Sequence, residues 1–357
     1  MYYQVVIPKE DRNALRFIWF NDAGEIIHYR MTRHVFGGVW CSSSSAYTLG
    51  RVLVDNVDVP PLVSGTIKRS FYVDDFLKSV PYKSLVSEVV KGTTEVLSKG
   101  GFRLTKFVIN DEELLSLVPV QERASEVEFL KNFDSRAFGI AWDVAGDEFF
   151  FRVNLAQECN TNLTRRKILS MLASIYDPLG LVNPVTVKGK LLLQKATICK
   201  LSWDDPVPEG LAHKWSQWYS SLEGLREIRI SRCIKPIKFN EAALELHHFS
   251  DASQVAYGCS TYLRSTHQSG EIHVALVVSK SKVAPIEFMT IPRLELQAAV
   301  LAAKMDDMLR RELDLDLDLS YFWTDSKIVL RYISNESRCF NVFVGNRVSL
   351  IQLLTKL

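Results

Sequence analysis

The alternation of apolar and polar positions divides the chain into three stretches. The first begins as short strands: Tyr3-Gln4-Val5-Val6-Ile7, a polar break at Pro8-Lys9-Glu10-Asp11, and an apolar run Ala14–Phe20. A turn at Asn21-Asp22-Ala23-Gly24 and a return over Ile26–Met31 follow, so a β-meander is predicted over residues 1–35. Phe36-Gly37-Gly38 opens a loop, and Ala46–Val54 predicts a helix. Ile67–Val73 reads as a strand with Ile67, Phe71 and Val73 on one parity, reversing at Asp74-Asp75. Leu85, Val89, Val96 and Leu97 share one face of a predicted helix that Gly100-Gly101 stops, and Gly101–Phe107 predicts a turn and strand.

The second stretch, about 155–240, has helical periodicity. Thr164 is placed to cap one helix, Asp177-Pro178-Leu179-Gly180 breaks it, and Val187–Ile198 forms another. Trp215, Trp218, Tyr219 and Leu222 fall on one helix face, a core pattern. Lys188, Lys190 and Lys195 either track a nucleic-acid backbone or form a solvated face. In the third stretch, strands are predicted at Leu244–Phe249, Val255–Leu263, Ile272–Ser279 and Leu319–Trp323. A helix opened by Pro292 lies between the last two. Asp314, Asp316 and Asp318 alternate with leucines and predict one wet strand face. His247-His248 reads as a pair of strand histidines without metal partners.

The 357 residues allow two or three domains, and 47% hydrophobic with 24% charged content is a globular mixture. The formal net charge of +2 is nearly balanced, so phosphate contacts have to come from local basic patches. The six cysteines form no C-x-x-C pair, which argues against a zinc site or a disulfide framework and for a reducing, intracellular setting. No apolar run approaches membrane-spanning length, and Met1 is not followed by a secretory leader pattern. There is no Asp-Thr-Gly or Asp-Ser-Gly and no nucleophile–base pattern, which excludes proteolysis.

Candidate chemistry lies in carboxylates. Asp74 and Asp75 are adjacent at a strand end, and adjacent acids there need solvent or a divalent cation as partner. Asp251 and Asp325 end two predicted strands, and Glu295 lies early on the intervening helix. A cluster of three such groups repels itself unless a metal ion neutralises it.

Tyr72-Val73-Asp74-Asp75 resembles the YxDD box of reverse transcriptases, and the resemblance runs nearly end to end. Met1–Pro8 and Met31–Gly37 resemble blocks of the polymerase palm, and Ser174–Pro184 resembles the connection region of BEL/Pao-type long-terminal-repeat retrotransposons. Three antiparallel strands, a helix and a strand, with the Asp251, Glu295 and Asp325 boxes, resemble the opening of a ribonuclease H domain. The implied fold class is α+β and α/β. A partial palm is expected over 1–155, a mainly helical thumb or connection over 156–240, and a ribonuclease H-like mixed sheet with helices over 241–357. By the resemblance, Asp74 and Asp75 are polymerase metal ligands, with Tyr2, Phe36, Gly37, Tyr72 and Lys106 toward template or nucleotide. Trp142, in Phe138–Asp143, lies at the primer end, and Asp251, Glu295 and Asp325 hold the nuclease metals. Mg²⁺, or Mn²⁺, is the implied cofactor. The implied partners are RNA–DNA hybrid, primer–template, deoxynucleoside triphosphate and other parts of a Pol polyprotein, with no membrane, in the cytoplasm within a virus-like particle or in the nucleus. Ser42 and Ala46 stand where the family carries proline and asparagine. The family's first polymerase aspartate falls before Met1 and its last ribonuclease H acid beyond Leu357. No primer extension is therefore expected, and an inactive remnant that retains nucleic-acid binding is the alternative.

Overall fold

The computed structural model describes residues 1–124, 141–153, 163–335 and 340–355. The chain forms two compact units, Met1–Lys131 and Asn132–Leu357.

In the first unit, β1 (Arg16–Phe20) and β2 (Ile26–Arg30) pair antiparallel across the predicted turn. Asn21 Oδ1 accepts from the amides of Ala23 and Glu25, and Gly24 takes a positive φ of 80°. The strand predicted at Tyr3–Ile7 is absent. Tyr2–Gln4 is a 3₁₀ turn, and only Val6 bridges to Arg33. Tyr2 and Val5, three apart, are both buried, which is the spacing of one 3₁₀ turn rather than of a strand. Helices α1 (Cys41–Asp55), α2 (Pro61–Arg69) and α3 (Lys83–Lys99) enclose a core of Leu49, Val52, Val63, Ile67, Val96, Leu97 and Phe102. Ile67 is thus helical, contrary to its predicted strand. Pro61 sits in the first turn, and the buried Val63, Thr66 and Ile67 follow helical spacing. Strand character begins only at β3 (Phe71–Tyr72), which pairs with β4 (Asp75–Phe76). Gly100 closes α3 as predicted, its amide reaching Leu97 O, and a short α4 (Glu112–Leu115) follows, capped by Asp111, whose side chain accepts from Leu114 N. The strand predicted at Gly101–Phe107 reduces to one bridge, Phe107 to Arg123, because Lys106 takes a φ of 61°.

In the second unit, β5 (Ala141–Asp143), β6 (Glu148–Phe150) and β7 (Arg229–Ser231) form a small antiparallel sheet. Helices α5 (Arg165–Ser174), α6 (Asn183–Ile198) and α7 (Glu209–Ser221) pack around the predicted Trp215, Trp218, Tyr219 and Leu222 face, with Trp215 fully buried. Thr164 Oγ1 accepts from Lys167 N at 3.3 Å, as its capping position predicts.

A four-stranded sheet follows, ordered β10–β9–β8–β11, from β8 (Ala243–Ala252), β9 (Ala256–Thr266), β10 (Ile272–Val283) and β11 (Leu319–Trp323). All neighbours are antiparallel except β8 and β11, which are parallel. Their crossover is α8 (Ile291–Glu312), with Pro292 in its first turn. Leu244, Leu246, His248 and Ser250 of β8, with Cys259, Thr261, Leu263 and Ser265 of β9, form the buried face against α8. The alternate residues face the other way. On its far side α8 packs against α9 (Lys327–Ile333) and α10 (Val342–Thr355). The Asp314, Asp316 and Asp318 segment is not a strand. Leu313, Leu315 and Leu317 point into the core beneath β8, but no strand pairs with them.

Candidate functional site

Tyr72-Val73-Asp74-Asp75 is a two-residue hairpin in which Tyr72 pairs with Asp75 and the rings of Phe71 and Phe76 stack at 4.9 Å. Val73, the first turn residue, has a φ of 57°, a position that such a turn normally gives to glycine. A β-branched residue there holds local strain of a kind that concentrates at functional positions. Asp74 is exposed at the tip and Asp75 is half-buried beside it. Burial, reinforced by the neighbouring Asp74 charge, holds the Asp75 carboxyl above its ordinary range.

Elsewhere in the same unit, Tyr2 is buried, with its hydroxyl 2.8 Å from Ser42 Oγ and its ring edge-on to Phe36 at 4.9 Å. Phe36 is exposed, and Gly37 beside it has a φ of 93°. The structure therefore brings Tyr2, Phe36 and Gly37 together. Lys106 sits at a left-handed kink. Trp142 lies on β5 in the second unit, its Nε1 donating to Asp147 Oδ1 at 3.0 Å with the Arg232 guanidinium 5.4 Å from its ring. Arg232 in turn grips Asp147 through two bonds of 2.6 and 2.9 Å. Residues 138–140 of the expected primer hairpin lie outside the described residues.

The three remaining acids lie on or next to the four-stranded sheet and its crossover helix. The parallel register sets Trp323 beside Phe249; Asp251, two residues on, is still within β8, and Asp325 lies two residues past the end of β11. Asp251 is opposite Gly258 on β9 and is exposed. Glu295 lies in the early turns of α8 and accepts a hydrogen bond from Ser326 Oγ, the residue after Asp325. Ser326 also caps α9, accepting from Val329 N. One serine thus ties Glu295 to the Asp325 turn, a link the sequence reading did not contain. Among the described residues, no group of three or more His, Cys, Asp or Glu is close enough to hold a metal ion.

Between the sheet and α8, the buried His248 spans Thr261 Oγ1 at 2.8 Å and Asp306 Oδ1 at 3.0 Å, and Asp306 also accepts from Ser320 Oγ. The network joins β8, β9, α8 and β11, the elements that carry or flank the three acids. Burial alone would raise the Asp306 carboxyl, but the bonds from His248 and Ser320, with the nearby charges of His248 and Arg310, hold it below its ordinary range. Cys259, on the same buried face, has its thiol pushed up to about 12 by burial, so it is no nucleophile.

The Asp177–Pro184 stretch joins the helical bundle to this sheet. Asp177 accepts from the amides of Leu181 and Val182, both at 2.8 Å, and Ser279 N donates to Leu179 O at 2.8 Å. Asn183 donates to Ser279 Oγ and accepts from Ser281 Oγ, both at 3.1 Å. Gly180 has a φ of 70°, and a Cβ there would stand 1.9 Å from Ser279 O. In the sequence this junction showed as the Asp-Pro-Leu-Gly break and as the Ser174–Pro184 resemblance, neither of which gave its bonds to β10.

Residues 164–326 match the model of the Pao retrotransposon-like RNaseH-like domain. No curated protein matches. Among solved structures, a foamy viral protease-reverse transcriptase dRH in complex with double-stranded DNA is similar at a TM-score of 0.51 and 14% identity over 99% of this chain and 53% of that one. RNase H1 of the halophilic archaeon Halobacterium salinarum NRC-1 aligns at a TM-score of 0.21 and 10% identity, over 32% of this chain and 77% of that one. The chain spans about half the length of the foamy viral protein. Among the described residues, no helix is long and apolar enough to cross a membrane. The mixed sheet with its crossover helix has an RNase H-like architecture, and the match over residues 164–326 supports a retrotransposon Pol RNase H-like region there.

Proposed function

We propose that the second unit hydrolyses the RNA strand of an RNA–DNA hybrid, with Asp251, Glu295 and Asp325 as its metal-binding carboxylates. The observation that carries this reading is the parallel pairing of β8 with β11, with Asp251 near the end of one and Asp325 just past the end of the other, while Ser326 beside Asp325 is bonded to Glu295. The donor set suits a hard divalent cation, since Mg²⁺ takes carboxylate oxygens and keeps several waters. When bound, such an ion supplies an activated water and charge stabilisation at the phosphate. The chain's own part is to position. Ser326 orients Glu295, and the His248–Asp306 network holds the strands and helix that carry the acids. A hybrid would be read through its backbone and 2′-hydroxyls.

For the first unit, the corresponding proposal is nucleotidyl transfer. Asp74 and Asp75 would hold Mg²⁺, Tyr72 and Lys106 would lie toward primer and nucleotide, and Tyr2, Phe36 and Gly37 would lie toward template and sugar. Trp142 would lie at the primer end. The strained Val73 turn and the tight Tyr2–Phe36 pair support it. Primer–template nucleic acid is the proposed partner, as double-stranded DNA is of the foamy viral protein. A second reading, a nucleic-acid-binding module without catalysis, is favoured by the carboxylates not being gathered to metal distance among the described residues.

The deciding experiment is cleavage of a labelled RNA–DNA hybrid with Mg²⁺ or Mn²⁺ by the whole chain and by Asp251→Asn, Glu295→Gln and Asp325→Asn. A loss of at least about 100-fold in each variant is expected. Cleavage indifferent to all three would sink the nuclease reading, whereas hybrid binding without any cleavage would leave the second.

A further inference from the structure

We infer that the slot between the first turn of α6 and strand β8 receives a single nucleotide of the bound strand, its base lying against Phe249. This rests on the nuclease reading for the identity of the strand. The slot measures about 250 Å³, with Pro184 and Val187 on one wall, Phe249 and Asp251 on the other, and Gly258 and Ser260 in its floor.

Phe249 is set up for stacking. Its ring is parallel to Trp323 within 9° at 5.9 Å and edge-on to Tyr262 at 5.8 Å. β8 lies between β11 and β9, with Phe249 beside Trp323 on one side and opposite Ser260 on the other, and Phe249 and Ser260 both line the slot. The side chain is held on two sides yet is 47% exposed. Opposite it, Pro184 and Val187 offer an apolar wall that makes no demand on base identity. That wall cannot drift, because Asn183 is bonded to both Ser279 and Ser281 of the sheet. Gly258 lies directly across from Asp251 and leaves the floor clear, and a Cβ there would stand 3.0 Å from Lys280 O. The slot is continuous with the proposed carboxylate site, since Asp251 forms part of its wall. An apolar base with a polar sugar fits this lining, with hydroxyls on the floor and a stacking face above. Sequence-tolerant stacking of this kind serves a nucleotide unpaired at a strand end or extruded from the hybrid, whatever the base.

The test reads binding, not turnover. A series of RNA–DNA hybrids, each with one abasic ribose at a different position of the RNA strand, is titrated in Ca²⁺ against the whole chain, Phe249→Ala and Phe249→Trp. The wild type is expected to lose affinity on the order of 10-fold for an abasic residue at one position. Phe249→Ala should bind the intact hybrid about that much more weakly and show no further loss at that position, and Phe249→Trp should restore the wild-type pattern. Val187→Phe, which narrows the slot from the opposite wall, should reproduce the Phe249→Ala profile. Unchanged affinity of Phe249→Ala, or losses that simply add at every position, would overturn the inference. So would a wild type that binds no hybrid but binds an apolar peptide through Phe249. Asp251→Asn separates the two claims: cleavage unaffected by that change removes the nuclease reading, while the abasic profile still decides the slot.

Discussion

The two proposed carboxylate sites are built in opposite ways. Asp74 and Asp75 are placed by four consecutive residues, and the hairpin that presents them carries its own strain at Val73. Asp251, Glu295 and Asp325 come from a strand, a helix and the turn after a second strand, linked by the register of β8 with β11 and the Ser326–Glu295 bond. The first arrangement survives or fails with its turn. The second depends on contacts far from any acid, so substitutions at a distance should disturb it more than substitutions nearby. The predictions below test that contrast, from the largest expected effect to the smallest.

Gly180→Ala should do the most damage. The new Cβ would fall 1.9 Å from a backbone oxygen of β10 in a residue at positive φ. Left-handed backbone costs an alanine about 1–2 kcal/mol, and overpacking against backbone about as much again or more, so a loss of roughly 3–4 kcal/mol is expected. Gly101→Ala, also at positive φ but with nothing within 4 Å, should cost only about 1 kcal/mol. Urea midpoints of the two variants check the difference, and equal losses would show that the Asp177–Pro184 junction carries no special load.

Asp306→Ala comes next. It strips the buried His248 of its carboxylate partner, which should cost about 2–4 kcal/mol and loosen the β8–α8–β11 arrangement. The pH dependence has a definite sign. The Asp306 carboxyl is held below its ordinary range, so its contribution is present above about pH 4, the ordinary value, and is lost as pH falls through the depressed folded value. Asp306→Asn should therefore flatten the acid limb of the stability profile. A profile that keeps the wild-type slope would show that the acid limb arises elsewhere.

What could be read from the sequence follows the same division. The strands β8–β11 and helix α8 were legible because alternation, Pro292 and the closing turns all agree locally. Thr164 and the Trp215 face were legible for the same reason. Ile67 was misread because a β-branched apolar residue suits a strand or a buried helix face, and its burial beside Val63 in α2 is a tertiary fact. Tyr3–Ile7 was misread because its run of apolar residues hides a period of three, visible only once Tyr2 and Val5 are seen buried. Lys106 bends out of a predicted strand, and nothing in Arg103–Phe107 marks a left-handed residue. At the candidate site the acids were nameable one by one. The β8–β11 register that links them, the Ser326 tie and the His248–Asp306 pair were not, because each joins residues distant in sequence.

The smallest effect belongs to the local site. Val73 occupies a turn position at φ 57° that glycine adopts without steric cost. Val73→Gly should relieve about 1–2 kcal/mol of backbone strain, offset by the extra freedom glycine gains in the unfolded chain, for a net gain of about 0.5–1 kcal/mol. Hydrogen exchange over residues 61–99 reads this in the whole chain, since slower exchange there with no change over β8–β11 confines the effect to the first unit. If the hairpin contributes chemistry through that strain, the more stable variant should present Asp74 and Asp75 less rigidly, and Tb³⁺ luminescence excited through Tyr72 should weaken. A variant that is both more stable and equally bright would show that Val73 is merely tolerated there, and the hairpin would then owe its placement of the acids to the Phe71–Phe76 stack alone.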